Sequence, residues 1–185
     1  MELITPIPVE TTKKLHVGDI VFITGTLITA RDAAHRRIKQ ILLEGRTPPY
    51  TFKGIPLFHC GPIVKKHNKE WKIIAAGPTT SMRMDVLEPF LIEKLGVNFI
   101  IGKGGMGKST QEALIKYGGV YAAFPGGAAA LAATKIKKVI NVKWLDLGIP
   151  EALWKLEVEK FGPLIIAMDS YGNNIYENVL SKIST

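Results

Sequence analysis

Short apolar runs alternate along this chain with segments whose apolar residues return at helical spacing, and glycine or proline stands at most changeovers. DIVFITGT, residues 19–26, is β-branched and apolar and predicts a buried strand. It runs directly into TLITARDAAHRRIKQILLEG, where Ala34, Ile38, Ile41 and Leu42 form one helical face and Gly45 is the expected stop. Thr29 is the expected N-cap, with Asp32 three residues on, so Arg31 falls near a helix N-terminus. After the proline-rich loop RTPPYTFKG, residues 57–64 and 71–76 flank the polar turn KKHNKE in the manner of a hairpin. Residues 82–95 predict a helix capped by Thr80 or Ser81, with Asp85 and Glu88 in its early turns, a kink at Pro89 and an end at Gly96.

A strand over 97–101 then leads into GKGGMGKST, and the S-T-Q-E pattern from Ser109 to Glu112 predicts a capping box opening a helix that stops at Gly118 and Gly119. The theme repeats as strand VYAAF, loop PGG, helix AAALAATKIKK and strand VINVKWLD. The tail differs: ALWKLEVEKF alternates like a strand, PLIIAMD reads as a buried one, and SYGNN is turn chemistry. Alternating strands and helices predict an α/β fold with parallel pairing in part of the sheet.

With 185 residues and neither an internal repeat nor a break in composition, one domain over 1–185 is the expectation. Its 46% hydrophobic and 22% charged residues exclude a disordered chain. The most apolar stretch, 120–133, is alanine-rich, broken at Pro125, and too short to span a bilayer, so no membrane segment is expected. MELITPIPVE places an acid and two prolines where a secretory signal needs a basic and an apolar segment, which predicts a cytoplasmic protein. The single cysteine, Cys60, excludes an intrachain disulfide, a multi-cysteine zinc site and complete cysteine ligation of an iron–sulfur cluster by this chain. A net charge of +8 favours anionic partners without saying which.

Two constellations bear on chemistry. Gly102 to Ser109 satisfies the phosphate-binding pattern G-x-x-x-x-G-K-[ST] between a strand and a helix, with Lys108 to reach phosphates, Ser109 to hold magnesium and Asp169 as a second magnesium acid. A tight turn with a good cap is the competing reading. The second constellation spreads over three strand-to-helix turns that carry Arg31, Thr79 with Arg83, and Lys103. In an open α/β sheet ligands bind beyond the strand carboxyl ends, so these cations are placed to converge on one anion. Two guanidiniums and an ammonium suit a small dicarboxylate, because each guanidinium grips one carboxylate with paired hydrogen bonds. Asp32 and Asp85 are near enough in sequence to orient the arginines. His16, His35, His59 and His67 show no metal-ligand spacing, so no metal site is expected; Cys60 is structural. The basic stretch TKIKKVINVK lacks interleaved aromatics, and no nucleic-acid partner is expected.

The set GDIVFITGTLITARDAAHRRI, FHCGPIV, AAGPTTSMRMD and FIIGKGGMG, in that order, with WKLEVEKFGPLIIAMDSYGN near the end, resembles the β subunit of the iron–sulfur-dependent hydro-lyases, the class I fumarate hydratase and L(+)-tartrate dehydratase family. The resemblance spans nearly the whole chain. It implies a swivelling β/β/α domain with a mixed sheet, whose strand-to-helix turns form one wall of an active site. It implies reversible hydration of fumarate to malate, with L(+)-tartrate dehydration as the alternative, by an enzyme active only with an α subunit in an α2β2 assembly. The family's [4Fe–4S] cluster would be bound by the partner α subunit and not by this chain, its open iron acting as a Lewis acid on the substrate hydroxyl.

By position within the motifs, Arg31, Arg83 and Lys103 would bind the C4 dicarboxylate and Thr79 would be the base. Arg83 and Lys103 would also stabilise charge that builds on a carboxylate during proton abstraction. A threonine hydroxyl is a poor base near neutral pH and would need nearby cations, a helix N-terminus or a proton relay. Thr79 or Thr80 as a simple helix cap is the plainer alternative. Under the resemblance, 102–107 is the loop that holds Lys103 towards substrate, and the phosphate-loop match is coincidental.

Overall fold

A computed structural model describes residues 1–68, 70–125 and 129–177. Its main sheet is mixed. Strand β2 (Ile20–Thr29) pairs in parallel with β1 (Glu2–Ile4) and with β3 (Leu57–Phe58), and β3, β6 (Phe99–Gly102) and β7 (Val120–Ala123) continue in parallel. The long strand β9 (Leu153–Met168) runs antiparallel to both β7 and β2, closing β2, β3, β6, β7 and β9 into a ring, and β8 (Ile136–Lys143) adds to its edge. A separate hairpin is formed by β4 (Ile63–His67) and β5 (Glu70–Ala75).

The apolar runs are continuous because the strands are buried on both faces. In β6, Phe99 and Ile101 enter one hydrophobic cluster and Ile100 the other; in β7, Val120 and Ala122 oppose Tyr121 in the same way. The first cluster is closed by the hairpin, through Ile73 and Trp71, and by Ala132 of α5 (Ala129–Thr134). The second is closed by helices α2 (Asp32–Leu43), α3 (Glu88–Leu95) and α4 (Lys108–Tyr117), through Ala34, Ile38, Leu91, Ile92 and Leu114. Hairpin, sheet and helices make the β/β/α layering. A short helix α1 (Val9–Thr12) lies between β1 and β2. Among the described residues no helix is long and apolar enough to cross a membrane.

Several local expectations are corrected. Residues 57–64 are not one hairpin strand: Leu57 and Phe58 join the main sheet, the chain turns through Cys60, Gly61 and Pro62, and the hairpin begins at Ile63. Lys69, inside the expected hairpin turn, lies outside the described residues. Residues 82–95 are not one kinked helix. A 3-10 turn, Ser81–Met84, comes first, and Pro89 stands in the first turn of α3, where its missing N–H costs no hydrogen bond. Neither Thr80 nor Ser109 caps a helix with its side chain, and Thr29 remains in β2 while Arg31 takes the N-cap position of α2.

Beyond β7, Gly126, Gly127 and Ala128 of the expected loop and helix start lie outside the described residues. The helix itself ends at Thr134, because Ile136, Val139 and Val142 pair with Val158, Leu156 and Trp154 of β9 and the strand expected from Val139 begins already at Ile136. The two expected tail strands are one, bent where Lys160 and Gly162 take positive φ, and its register against β2 shifts near that bend. Both C-terminal stops, Gly96 and Gly118, are left-handed as expected.

Candidate active site

The carboxyl ends of β2, β3 and β6 are neighbours, and backbone hydrogen bonds continue beyond them. Ala30 N–H donates to Phe58 C=O (3.0 Å), and His59 N–H donates to Ile101 C=O (2.8 Å). The incoming segment before the 3-10 turn settles on the same ends: Thr79 N–H donates to His59 C=O (2.7 Å), Ser81 N–H to Lys103 C=O (3.1 Å), and Thr80 bridges Lys103 in parallel. Arg31, Thr79 and Lys103 therefore emerge from adjoining strand ends, and Arg83 follows one turn later. The structure brings the four predicted residues to one edge of the sheet.

Each cation is placed differently. Arg31 lies across Gly61, where a Cβ would stand 2.9 Å from its Cδ and Nη1, so glycine is what leaves the guanidinium room. Its Nε is 3.3 Å from Glu151 Oε1, and Glu151 Oε2 accepts the Ala33 N–H (2.9 Å) at the start of α2. Arg83 makes a two-point pair with Asp32, Nε to Oδ1 and Nη2 to Oδ2, both 3.1 Å. Lys103 is exposed and Thr79 half-buried. The orientation of the arginines thus differs in part from expectation: Asp32 holds Arg83, Glu151 faces Arg31, and Asp85 holds neither.

Asp85 serves the glycine-rich loop. Its carboxylate accepts the Gly107 N–H (2.8 Å), the Ser109 hydroxyl (2.8 Å) and the Thr110 hydroxyl (2.6 Å), filling the donors at the start of α4 that a phosphate would need. Lys108 projects into solvent, 4.0 Å from Glu112. Asp169, the other residue of that reading, accepts from the amides of Val17, Tyr171 and Asn173 and from Asn173 Nδ2. Burial raises the Asp169 pKa, but those donors outweigh it and hold it low. The phosphate-loop pattern is here an internally capped turn.

The sequence reading missed a buried polar chain behind these loops. Glu88 Oε2 accepts from His35 Nε2 (2.9 Å) and from His59 Nε2 (3.0 Å), with all three side chains fully buried. His35 Nδ1 faces Arg31 C=O (2.8 Å); His59 Nδ1 meets Ser81 Oγ (2.9 Å), which accepts from the Tyr121 hydroxyl (3.0 Å). Donor and acceptor roles follow from the partners. A carbonyl and a carboxylate on its two nitrogens require His35 to donate twice, as imidazolium. His59 donates from Nε2 and accepts the Ser81 proton at Nδ1, as neutral imidazole.

The pKa directions agree. Burial alone would lower His35, but the Glu88 charge and the hydrogen bonds of Glu88 and Arg31 C=O raise it above 6.5. For His59 burial wins, helped by the charge of His35, and the pKa falls. Burial would raise Glu88, yet the two histidines bring it down to about 2. Gly102 is required beside this chain, because a Cβ there would lie 1.8 Å from Ser81 Oγ.

The ligand atoms of His35, His59 and Glu88 lie within 4.8 Å of one another, a spacing a metal could use. Every ring nitrogen already has a hydrogen-bond partner, however, and only Glu88 Oε1 is left without one among the described residues of the group. Cys60, fully buried at the end of β3, has its thiol pKa pushed up by burial, with only the Arg31 charge acting against that. One such thiol does not fit the ligand set of an iron–sulfur cluster.

Known proteins match most of this chain. The L(+)-tartrate dehydratase subunit beta of Escherichia coli (strain K12) is 46% identical over 174 residues, covering 94% of this chain and 85% of that protein. A protein of Methanocaldococcus jannaschii, provisionally named L(+)-tartrate dehydratase subunit beta, is 49% identical over 172 residues, covering 92% and 88%. A longer protein of Geobacillus stearothermophilus, provisionally named class I fumarate hydratase, is 41% identical over 184 residues, covering 97% of this chain and 35% of its own length. The profile described as Fumarase C-terminus matches residues 1–179, and with it the chain belongs to that family.

Proposed function

We propose that this chain is the β subunit of a hydro-lyase that adds water to, or removes it from, a C4 dicarboxylate. The observation that carries the reading is the convergence of Arg31, Thr79, Arg83 and Lys103 on the adjoining ends of β2, β3 and β6. Arg31 binds one carboxylate of the substrate, and Arg83 with Lys103 binds the other. Thr79, as the alkoxide once its hydroxyl proton has passed to solvent, takes the proton from the carbon beside that second carboxylate, and in the dehydration direction the hydroxyl of the neighbouring carbon leaves as the double bond forms. As the C–H bond breaks, its electron pair moves towards the carboxylate, where two fixed cations stabilise it more than they stabilise the ground state. The same cations stabilise the charge on the Thr79 oxygen once its proton has left.

A [4Fe–4S] cluster, if the reaction uses one, is held by the α subunit, since this chain brings only the buried Cys60. Within the substrate class, fumarate and L-malate are the first reading, supported by the family description and the class I fumarate hydratase relative. L(+)-tartrate is the second, supported by relatives of similar length named as tartrate dehydratase β subunits.

The test is anaerobic co-expression with the α subunit, a mass measurement for the α2β2 assembly, and assays with fumarate, L-malate and L(+)-tartrate. Turnover of one of these by the pair, and none by the isolated chain, is expected. Full activity of the chain alone would overturn the divided enzyme.

A further inference from the structure

Three of the site loops are tied to Glu88 through a single carboxylate oxygen. Its Oε2 holds His35, whose Nδ1 fixes the Arg31 carbonyl; that carbonyl also accepts the His35 N–H, so the peptide after Arg31 is held twice. The same Oε2 holds His59, whose C=O takes the Thr79 N–H and whose Nδ1 takes the Ser81 hydroxyl, while Ser81 N–H binds Lys103 C=O. The other oxygen, Oε1, is buried and has no hydrogen-bond partner among the described residues. A wholly buried carboxylate with one unsatisfied oxygen is costly to keep for packing alone.

We infer that Glu88 is a positioning residue that sets the spacing of Arg31, Thr79 and Lys103 through the two histidines, without touching the substrate itself. The inference rests on the dicarboxylate reading of the site. The arrangement is branched: the His35 arm governs Arg31, and the His59–Ser81 arm governs Thr79 and Lys103. Glu88→Gln keeps the shape and removes the charge that accepts both histidines. Ser81→Ala cuts only the second arm and leaves Glu88 paired with both rings.

The test uses the assembled two-subunit protein and two readouts. In hydrogen–deuterium exchange, Glu88→Gln should speed exchange of peptides covering 31–35 and 79–83 by about tenfold or more, leaving the β4–β5 hairpin unchanged. Ser81→Ala should speed only the 79–83 peptide. With succinate as a non-reacting dicarboxylate, Kd should rise about tenfold in Glu88→Gln and less in Ser81→Ala, at a temperature well below both melting points. Because both act through one chain, the double variant should lose less than the product of the single losses.

Exchange and succinate binding within twofold of wild type in both single variants would overturn the inference, as would losses that multiply. If Glu88→Gln does not fold, Ser81→Ala decides: unchanged exchange at 79–83 refutes the chain. Failure of wild type to bind succinate would sink the dicarboxylate reading instead, while the exchange readout still tests the positioning role.

Discussion

Arg83 Nε donates to Asp32 Oδ1 at 3.1 Å and Nη2 stands 3.1 Å from Oδ2, so a cation proposed to read a substrate carboxylate is already aligned by a carboxylate of the protein. Asp32 stands in the first turn of α2, where the helix dipole favours its charge, and only 12% of its side chain is exposed against 52% for Arg83. The pair therefore holds the guanidinium from its Nε side. Arg83→Lys keeps the charge and loses the fork. We expect KM for the dicarboxylate to rise about tenfold, and Tm to change little because half-exposed ion pairs contribute only about 0–1 kcal/mol. Asp32→Asn should raise KM in the same direction by a smaller factor. Steady-state kinetics and thermal melts of both variants check this.

Thr79 is tied to the fold by its backbone, through the 2.7 Å bond to His59 C=O, and that bond survives any change of side chain. Thr79→Ala should leave Tm and assembly unaltered while lowering kcat by about two to four orders of magnitude, the range of a lost general base. Thr79→Ser should recover much of the loss. Near-normal kcat in Thr79→Ala would return this residue to a structural role.

Gly102 is where space, and not backbone freedom, demands glycine, since a Cβ would overlap Ser81 Oγ and stand 3.0 Å from the Tyr121 hydroxyl. Gly102→Ala should destabilise the protein by about 1–3 kcal/mol, as overpacking does, and should reduce activity as the 79–83 turn is displaced. Combined with Ser81→Ala, which removes the hydroxyl it strikes, much of the stability should return. Denaturant titration of the two single variants and the double gives the comparison.

What could be read in the sequence were the features carried by local order. β2 and α2 announce themselves through a β-branched run followed by helical spacing, and the cations are visible because they follow strand ends at short distance. Even so, the boundary between β3 and the hairpin is marked in LFHCGPIV only by the turn dipeptide Gly61-Pro62, because Leu57 and Ile63 are equally apolar and only the partners differ. The start of β8 is hidden for a related reason: KIKK continues the helical pattern and joins the expected strand VINVK only through the pairing of Ile136 and Lys138 with β9. The histidine chain had no local sign at all. His35 and His59 lie 53 and 29 residues from Glu88, and Glu88 occupies a helix first turn, where an acid is normally a solvated surface residue.

That buried chain also fixes how stability should depend on pH. His59 is held neutral in the fold but takes a proton in the unfolded chain below pH 6.5, so unfolding gains a proton there and stability falls with pH. Glu88 adds to the fall at lower pH: its stabilisation is complete above 4.5 and is lost as pH drops from there towards about 2. His35 acts at the other end, because its raised pKa gives stability that is full below 6.5 and disappears as pH rises through the folded value. Stability should therefore peak near pH 6.5, falling on the acid side through His59 and on the alkaline side through His35. On the acid side the slope from His59 grows over the pH unit below 6.5 towards a ceiling of one proton, about 1.4 kcal/mol per pH unit. Denaturant titrations from pH 5 to 9 on wild type and His59→Gln provide the check. The variant should lose most of the slope between 6.5 and 5 and keep the decline on the alkaline side, because His35 still pairs with Glu88. An unchanged acid slope would mean that His59 carries a proton in the folded protein, and the tautomer order along His35, Glu88, His59 and Ser81 would then have to be reversed.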